Sequence, residues 1–174
     1  MQAESIPVKQ STWVIRLEET SDTSEIEQLQ AEAFGPGRFV RTAFQVRKDV
    51  PHRPDLSFVG LSGSDIAGSI RLTPIHIGET PALLLGPLTV SPAFKNRGLG
   101  KLLLQIALNA VEAAGDRIVL LVGDAPYYGP FGFEQVPMGK ITLPGPVDPA
   151  RLLVARLKGA DMPDGAVSAT MRTA

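Results

Sequence analysis

The chain contains no cysteine. That excludes a disulfide framework, a thiolate metal centre and an acyl-cysteine intermediate. Histidine is nearly as scarce, with only His52 and His76, so no metal site is expected. No apolar run is long enough to cross a bilayer, and Met1 to Gln10 lacks the apolar core of a signal peptide. The expected setting is cytoplasmic, away from membranes. A formal net charge of −1 gives no global attraction to nucleic acid. Aromatic residues make up 6% of the chain, and its two tyrosines, Tyr127 and Tyr128, are adjacent.

Hydrophobic residues account for 44% of the 174 and charged residues for 20%. That composition and length suit one domain with a substantial core. Residues 1–11 read as a loose leader, 12–158 as the folded domain, and 159–174 as a small, polar, weakly patterned tail. A monomer or a homodimer is expected.

Alternation around Trp13, Ile15 and Leu17 predicts a first strand. Ser24 with Glu27 has capping-box spacing, and Ile26, Leu29, Gln30 and Ala33 follow a helical period that Gly35-Pro36 ends. A second helix is predicted from Arg38 to Lys48. With the loop after it, this helix carries Arg38, Arg41, Arg47, Lys48 and Arg53, a basic lip or an ordinary solvated face. His52 reads as a surface residue. Strands follow at Leu56 to Leu61 and Ile66 to Ile77. The apolar phase of the second shifts near Thr73-Pro74, which suggests an edge or a bulge. His76 on that strand reads as packed or edge-exposed.

The stretch from Leu83 to Leu104 organises the rest. It reads as a buried strand, a loop with Gly98 and Gly100, and the start of an amphipathic helix that ends at Gly115. A helix N-terminus presents unpaired backbone N–H groups and a positive dipole end, which makes it an anion site. Lys95, Arg97 and Lys101 add positive charge there. A phosphate-bearing ligand is therefore expected. A nucleotide-triphosphatase loop is excluded, because Leu102 follows Gly100-Lys101 and Lys95 stands where the first glycine belongs. A dinucleotide fingerprint is excluded, because Leu103 stands where its third glycine belongs.

Lys95-Asn96-Arg97-Gly98-Leu99-Gly100 instead resembles the coenzyme A loop of the GCN5-related N-acetyltransferases, Gln/Arg-x-x-Gly-x-Gly/Ala. Lys95 departs from the usual first residue but keeps a polar or positive character. The resemblance covers about residues 12–140. It implies a strand broken at Gly86-Pro87, splayed from the next strand, with Leu88, Thr89 and Val90 beside the pantetheine arm. It implies that Lys95, Asn96, Arg97, Gly98, Leu99, Gly100 and Lys101 form the pyrophosphate loop.

A second segment, Gly123-Asp124-Ala125-Pro126-Tyr127-Tyr128-Gly129-Pro130-Phe131-Gly132-Phe133, follows the buried strand Arg117 to Val122. Asp124 reads as an N-cap. In the family a tyrosine four residues before a Gly-Phe pair lies beside the thioester sulfur, and Tyr128 has that spacing. A phenol is a reasonable proton donor to a leaving thiolate. Tyr127 reads as structural. No general base is visible, since Ala82 to Val90 and Ile118 to Val122 contain no acid. Glu79, Asp124 and Glu134 are the nearest candidates. A strand from Arg151 to Leu157 closes the reading.

The implied fold is a single α/β domain like that family's, a mostly antiparallel sheet with a central parallel pair. The implied function is direct transfer of an acetyl group from acetyl-CoA to a primary amine on a small molecule, a peptide N-terminus or a lysine. The acceptor is unidentified, and the basic lip favours one that also carries negative charge. The rival reading is a CoA-binding sensor or regulatory module without transferase activity.

Overall fold

The computed structural model describes residues 13–169. The expected leader lies outside the described residues. Four helices and nine strands carry the fold: β1 Val14–Leu17, α1 Thr23–Phe34, α2 Thr42–Arg47, β2 Phe58–Ser62, β3 Asp65–Ile77, β4 Thr80–Val90, α3 Leu99–Ala113, β5 Ile118–Val122, α4 Ala125–Tyr128, β6 Glu134–Gln135, β7 Ile141–Thr142, β8 Leu152–Arg156 and β9 Gly165–Ala169. The sheet runs β1-β2-β3-β4-β5-β8-β6, and β9 joins it beside β3. Every pairing along that path is antiparallel except β4 with β5. The mixed sheet expected from the sequence is the one observed.

Period-2 alternation on β4 and β5 places cores on both faces. Leu83, Leu85, Val119 and Leu121 pack with Leu99, Leu103, Leu104 and Ala107 of α3. Ala82, Leu84, Ile118 and Leu120 pack on the other face with Val46 of α2. The connection from β4 through α3 to β5 is the crossover that lets two strands run parallel.

Several details depart from the sequence reading. The second helix is shorter than Arg38 to Lys48, because Arg41 is extended (φ −68°, ψ 138°) and separates a 3-10 turn at Pro36–Val40 from α2. Helix α1 begins at Thr23, so Ser24 lies within its first turn and does not cap it. Asp22, just before it, accepts a hydrogen bond from the Glu19 amide at 2.7 Å. Strand β3 is interior, and its own extra residue lies between Ile66 and Gly68 opposite β2, not near Thr73-Pro74. β2 pairs with β3 only as far as Ile70 and the described part of β9 reaches only to Ile75, so among the described residues Pro74 faces β4 alone. His76 is therefore internal, opposite Ser168 of β9 and Pro81 of β4. The segment read as a weakly patterned tail supplies β9, which pairs with both β3 and β7.

Candidate active site

Strands β4 and β5 pair at only two positions, Leu83 with Val119 and Leu84 with Leu120. Beyond them β4 runs on to Val90 and β5 to Val122 without meeting. The cause lies in the sequence. Pro87 has no N–H to offer a ladder. Between Leu72–Leu85 and Ile70–Leu88 pairings, β4 uses one residue more than β3, so Gly86-Pro87 forms a bulge. The strands separate around a cavity of about 900 Å³.

One end of that cavity reaches the N-terminus of α3. The first backbone bond of the helix runs from Leu102 N to Gly98 O at 3.0 Å. The amides of Leu99, Gly100 and Lys101 precede it and have no acceptor within the helix. No side chain caps this end. Asn96 and Gly98 both have positive φ, 63° and 82°, which turns the loop sharply into the helix. Leu99 contributes its amide only, since its side chain is core. It rests on Gly60 and Gly68, register partners on β2 and β3. A Cβ on either would come within 2.6 Å and 3.0 Å of Leu99 methyls, respectively. Two facing glycines thus let α3 lie close to the sheet.

Of the residues expected at the site, Leu88, Thr89, Val90, Lys95, Gly100 and Tyr128 line the cavity together. Asn96, Arg97, Gly98, Leu99 and Lys101 do not line it. They form the loop and first turn at its end. Thr89 is buried with its hydroxyl unpartnered, as is Ser69 opposite it on β3.

Tyr128 stands on α4, directly after β5. Its ring meets Phe133 edge-on at 5.8 Å and Tyr127 at 4.9 Å. Burial pushes its phenol up to about 12, with smaller contributions from Tyr127 and Asp124. The proton therefore stays on Oη at neutral pH. Tyr127, read as structural, packs against the α3 core cluster. It lines the cavity, and a Cβ on Gly100 would sit 2.7 Å from its hydroxyl. Asp124 occupies the N-cap position of α4 but makes no side-chain cap hydrogen bond. Its carboxylate instead faces Arg151 at 3.6 Å. Glu79 and Glu134 do not reach the cavity. Glu134 pairs with Arg156 at 2.9 Å.

The opposite wall comes from the end of α1, from α2 and from the proline-rich loop 144–149. Thr42 donates to Pro146 O at 2.7 Å and fastens α2 to that loop. The basic lip resolves into distinct roles. Arg53 is tied to Asp55 and Asp116, and Arg38 stacks on Phe39 and donates to Gly35 O. Arg41 and Arg47 line the cavity.

An acetyltransferase (GNAT) family model matches residues 23–133. The chain belongs to the GNAT acetyltransferase family. It is 28% identical over 126 residues to the uncharacterized N-acetyltransferase YjhQ of Escherichia coli strain K12, covering 70% of each chain. A GNAT family acetyltransferase from Brucella melitensis, in a crystal structure with acetyl-CoA, matches at TM-score 0.69 and 27% identity over 93% of this chain and 97% of that one. Escherichia coli YhbS, solved in complex with CoA, matches at TM-score 0.73 and 22% identity over 91% and 89%. That second likeness is one of fold.

This GNAT domain also uses residues that the sequence reading did not single out. Gly60 and Gly68 seat α3, and Gly123 makes room for the Tyr128 ring. Phe34 and Phe44 form part of the wall made by α1 and α2. The charge run of the second helix was the only signal for Arg47.

Among the described residues no group of three or more side chains could hold a metal ion. No helix of the described chain is long and apolar enough to cross a membrane.

Proposed function

We propose that this protein transfers the acetyl group of acetyl-CoA directly to a primary amine. The observation that carries the reading is the convergence of three features on one cavity. These are the broken β4–β5 ladder, the uncapped α3 N-terminus and the protonated Tyr128. Two GNAT structures of the same fold hold acetyl-CoA or CoA, which supports the choice of ligand.

The residues fit it. The amides of Leu99, Gly100 and Lys101 would hold the pyrophosphate, with Lys95, Arg97 and Lys101 adding charge. The unpaired edge of Leu88, Thr89 and Val90 would take the pantetheine arm as a strand takes a neighbour, with the orphaned Thr89 hydroxyl as a further partner. Acetyl-CoA supplies an activated thioester with a thiolate leaving group.

The rest falls to the protein. The cavity walls hold the amine against the acyl carbon, which replaces an encounter in solution. As the new C–N bond forms and the C–S bond breaks, Tyr128 Oη gives its proton to the departing sulfur and regains one from solvent. The amine gives up its proton in the same exchange. The carboxylates on the wall, Asp124 and Asp148, are exposed, so that proton passes outward to solvent, with Asp124 as the wall carboxylate nearest in sequence to Tyr128.

The test is release of free thiol from acetyl-CoA in the presence of an amine panel. Turnover on at least one amine, with the acetylated product identified by mass, supports the reading. Tight CoA binding with no turnover on any amine supports the rival, a binding module.

A further inference from the structure

The wall formed by α2 contains a charge that nothing among the described residues balances. Arg47 ends α2, and a Cβ on Gly86 would lie 3.0 Å from its Nη1. The guanidinium therefore rests against the bulge where β4 leaves β5. Among the described residues it has neither a carboxylate partner nor a hydrogen-bonded acceptor. Its recorded neighbours are the Phe44 ring, 4.7 Å away, and the positive charge of Arg71. Arg71 is itself committed to Glu18, at 2.8 Å. Burial, with a smaller push from Arg71, lowers the Arg47 guanidinium to about 10. It remains a cation at pH 7, partly buried and open to the cavity, with one aromatic face against it and no counter-ion among the described residues. A desolvated charge without a counter-ion is destabilising unless something supplies the missing partner.

The surroundings indicate what would supply it. Arg41 over Phe34 (5.5 Å), Phe34 against Phe44 (5.9 Å) and Phe44 under Arg47 form a continuous wall of rings and guanidiniums. The cavity is lined by Arg41, Arg47, Lys95 and Arg151 against Asp124 and Asp148. Arg151 already faces Asp124. Lys95 lies at the α3 end. From Gly86 to Val90 is four residues, roughly 13 Å at the rise of a strand, so Arg47 stands well apart from the pyrophosphate loop. Its charge is not needed there. The two sides of the site also differ. Tyr128 packs with the α3 core cluster, whereas α2 packs on the other face. A leaving group that departs toward Tyr128 leaves the Arg47 side to the incoming amine.

We propose that Arg47 is the anchor for a carboxylate on the acceptor, and that the acceptor is a small amino acid-like amine with an apolar or aromatic body. This rests on the transferase reading and narrows it. A planar guanidinium matches a carboxylate in two parallel hydrogen bonds. Arg41 also lines the cavity without a carboxylate partner among the described residues, but it is exposed to solvent, so the less exposed Arg47 is the one that calls for a negative charge on the ligand. Arg47 at the bulge and Tyr128 line the same cavity, so one small acceptor would present its carboxylate to the first and its amine toward the second. Phe34 and Phe44 would face its apolar part.

The proposal is tested on the CoA-saturated protein with phenylacetate and phenylacetamide as probes, followed through the Arg47 Nε–H resonance. That resonance is assigned by its loss in Arg47→Gln. The expected result is saturable binding of phenylacetate that shifts this resonance, with phenylacetamide at least tenfold weaker. Arg47→Gln should remove the preference while CoA affinity stays within twofold. Equal affinity for the two probes, no binding of phenylacetate, or a preference that survives Arg47→Gln would overturn it. Turnover separates the alternatives: if Arg47→Gln slows acidic amines and their amides equally, Arg47 acts on the transfer and not on the acceptor. Thiol release from acetyl-CoA on the amine panel judges the transferase reading by itself, since a binding module would hold CoA without turnover.

Discussion

The ring of Tyr128 occupies the space that a side chain on Gly123 would need. A Cβ there would lie 2.5 Å from Cε2 of Tyr128 and 3.1 Å from Cδ1 of Leu121. Gly123 directly follows β5, so the end of the strand fixes where the phenol stands. Gly123→Ala must displace the ring. Its turnover is expected to fall by about 10- to 100-fold, the scale of a small misplacement of a catalytic group. Acetyl-CoA affinity should change little. Steady-state thiol release and calorimetry on the same variant separate the two effects.

Tyr128→Phe removes the proton donor without removing the ring. Its turnover should fall by about 10²- to 10⁴-fold, the usual contribution of a general acid. Because burial pushes the phenol up to about 12, the wild-type rate should show no alkaline fall near pH 10, the unperturbed tyrosine value. A fall near pH 10 that disappears in Tyr128→Phe would contradict the assigned environment.

Gly68→Ala tests the seat of α3. The added carbon would meet Thr89 O at 2.9 Å, Leu99 Cδ2 at 3.0 Å and Leu103 Cδ1 at 3.1 Å. A backbone carbonyl cannot rotate away as a methyl can. The variant should lose about 1–3 kcal/mol of stability, the range for overpacking, and bind acetyl-CoA more weakly, because both Thr89 and the α3 amides move. Denaturant unfolding and titration read the two losses.

Together with Asp22 and Asp55, which Arg16 and Arg53 hold below the usual carboxylate range, Glu18 contributes to the acid sensitivity of the fold. Burial pushes its carboxyl up, but hydrogen bonds from His52 and Arg71 together outweigh burial and hold it below the usual glutamate range. The contacts are 2.8 Å to His52 and 2.8 Å and 3.1 Å to Arg71. A group with a depressed native value stabilises the fold above its unfolded value and loses that contribution as pH falls through the native one. Melting temperature should therefore drop below about pH 4.3, the glutamate reference, and Glu18→Gln should show a shallower drop. At pH 7 the same variant should be less stable by on the order of 3 kcal/mol, since Arg71 loses its buried partner.

The loop and helix end that border the cavity were legible because they are local. Lys95 to Lys101 and Gly123 to Phe133 are short continuous segments, and their spacing reflects one helix end and one turn. The strand break at Gly86-Pro87 was equally legible, since a missing N–H acts wherever the proline falls. The wall made by α2 was not. Arg47 looked like one member of a basic run, and only the fold shows that Arg53 is claimed by Asp55 and Asp116 while Arg47 faces the bulge. His52 looked like a surface residue because its partner, Glu18, is distant in sequence and meets it only in the folded chain. Gly60 and Gly68 gave no signal, because a glycine that admits Leu99 looks the same in sequence as one in any strand. Strand β9 was missed for a similar reason. Gly-Ala-Val-Ser-Ala has one strong strand former, Val167, and its pairing comes from the vacant side of β3.

The central claim is that this cavity takes acetyl-CoA, with its pyrophosphate on the α3 N-terminus. It is tested most directly by calorimetric titration of the wild-type protein and of Gly98→Glu with acetyl-CoA, CoA and ATP. Gly98 has open space around it but a φ of 82°, so the glutamate brings backbone strain and a negative charge to the phosphate site. The account predicts tight binding of both CoA forms by the wild type and no binding of ATP. It predicts at least a tenfold loss in Gly98→Glu, about 1.4 kcal/mol or more. Absence of CoA binding by the wild type, or unchanged affinity in Gly98→Glu, would contradict it.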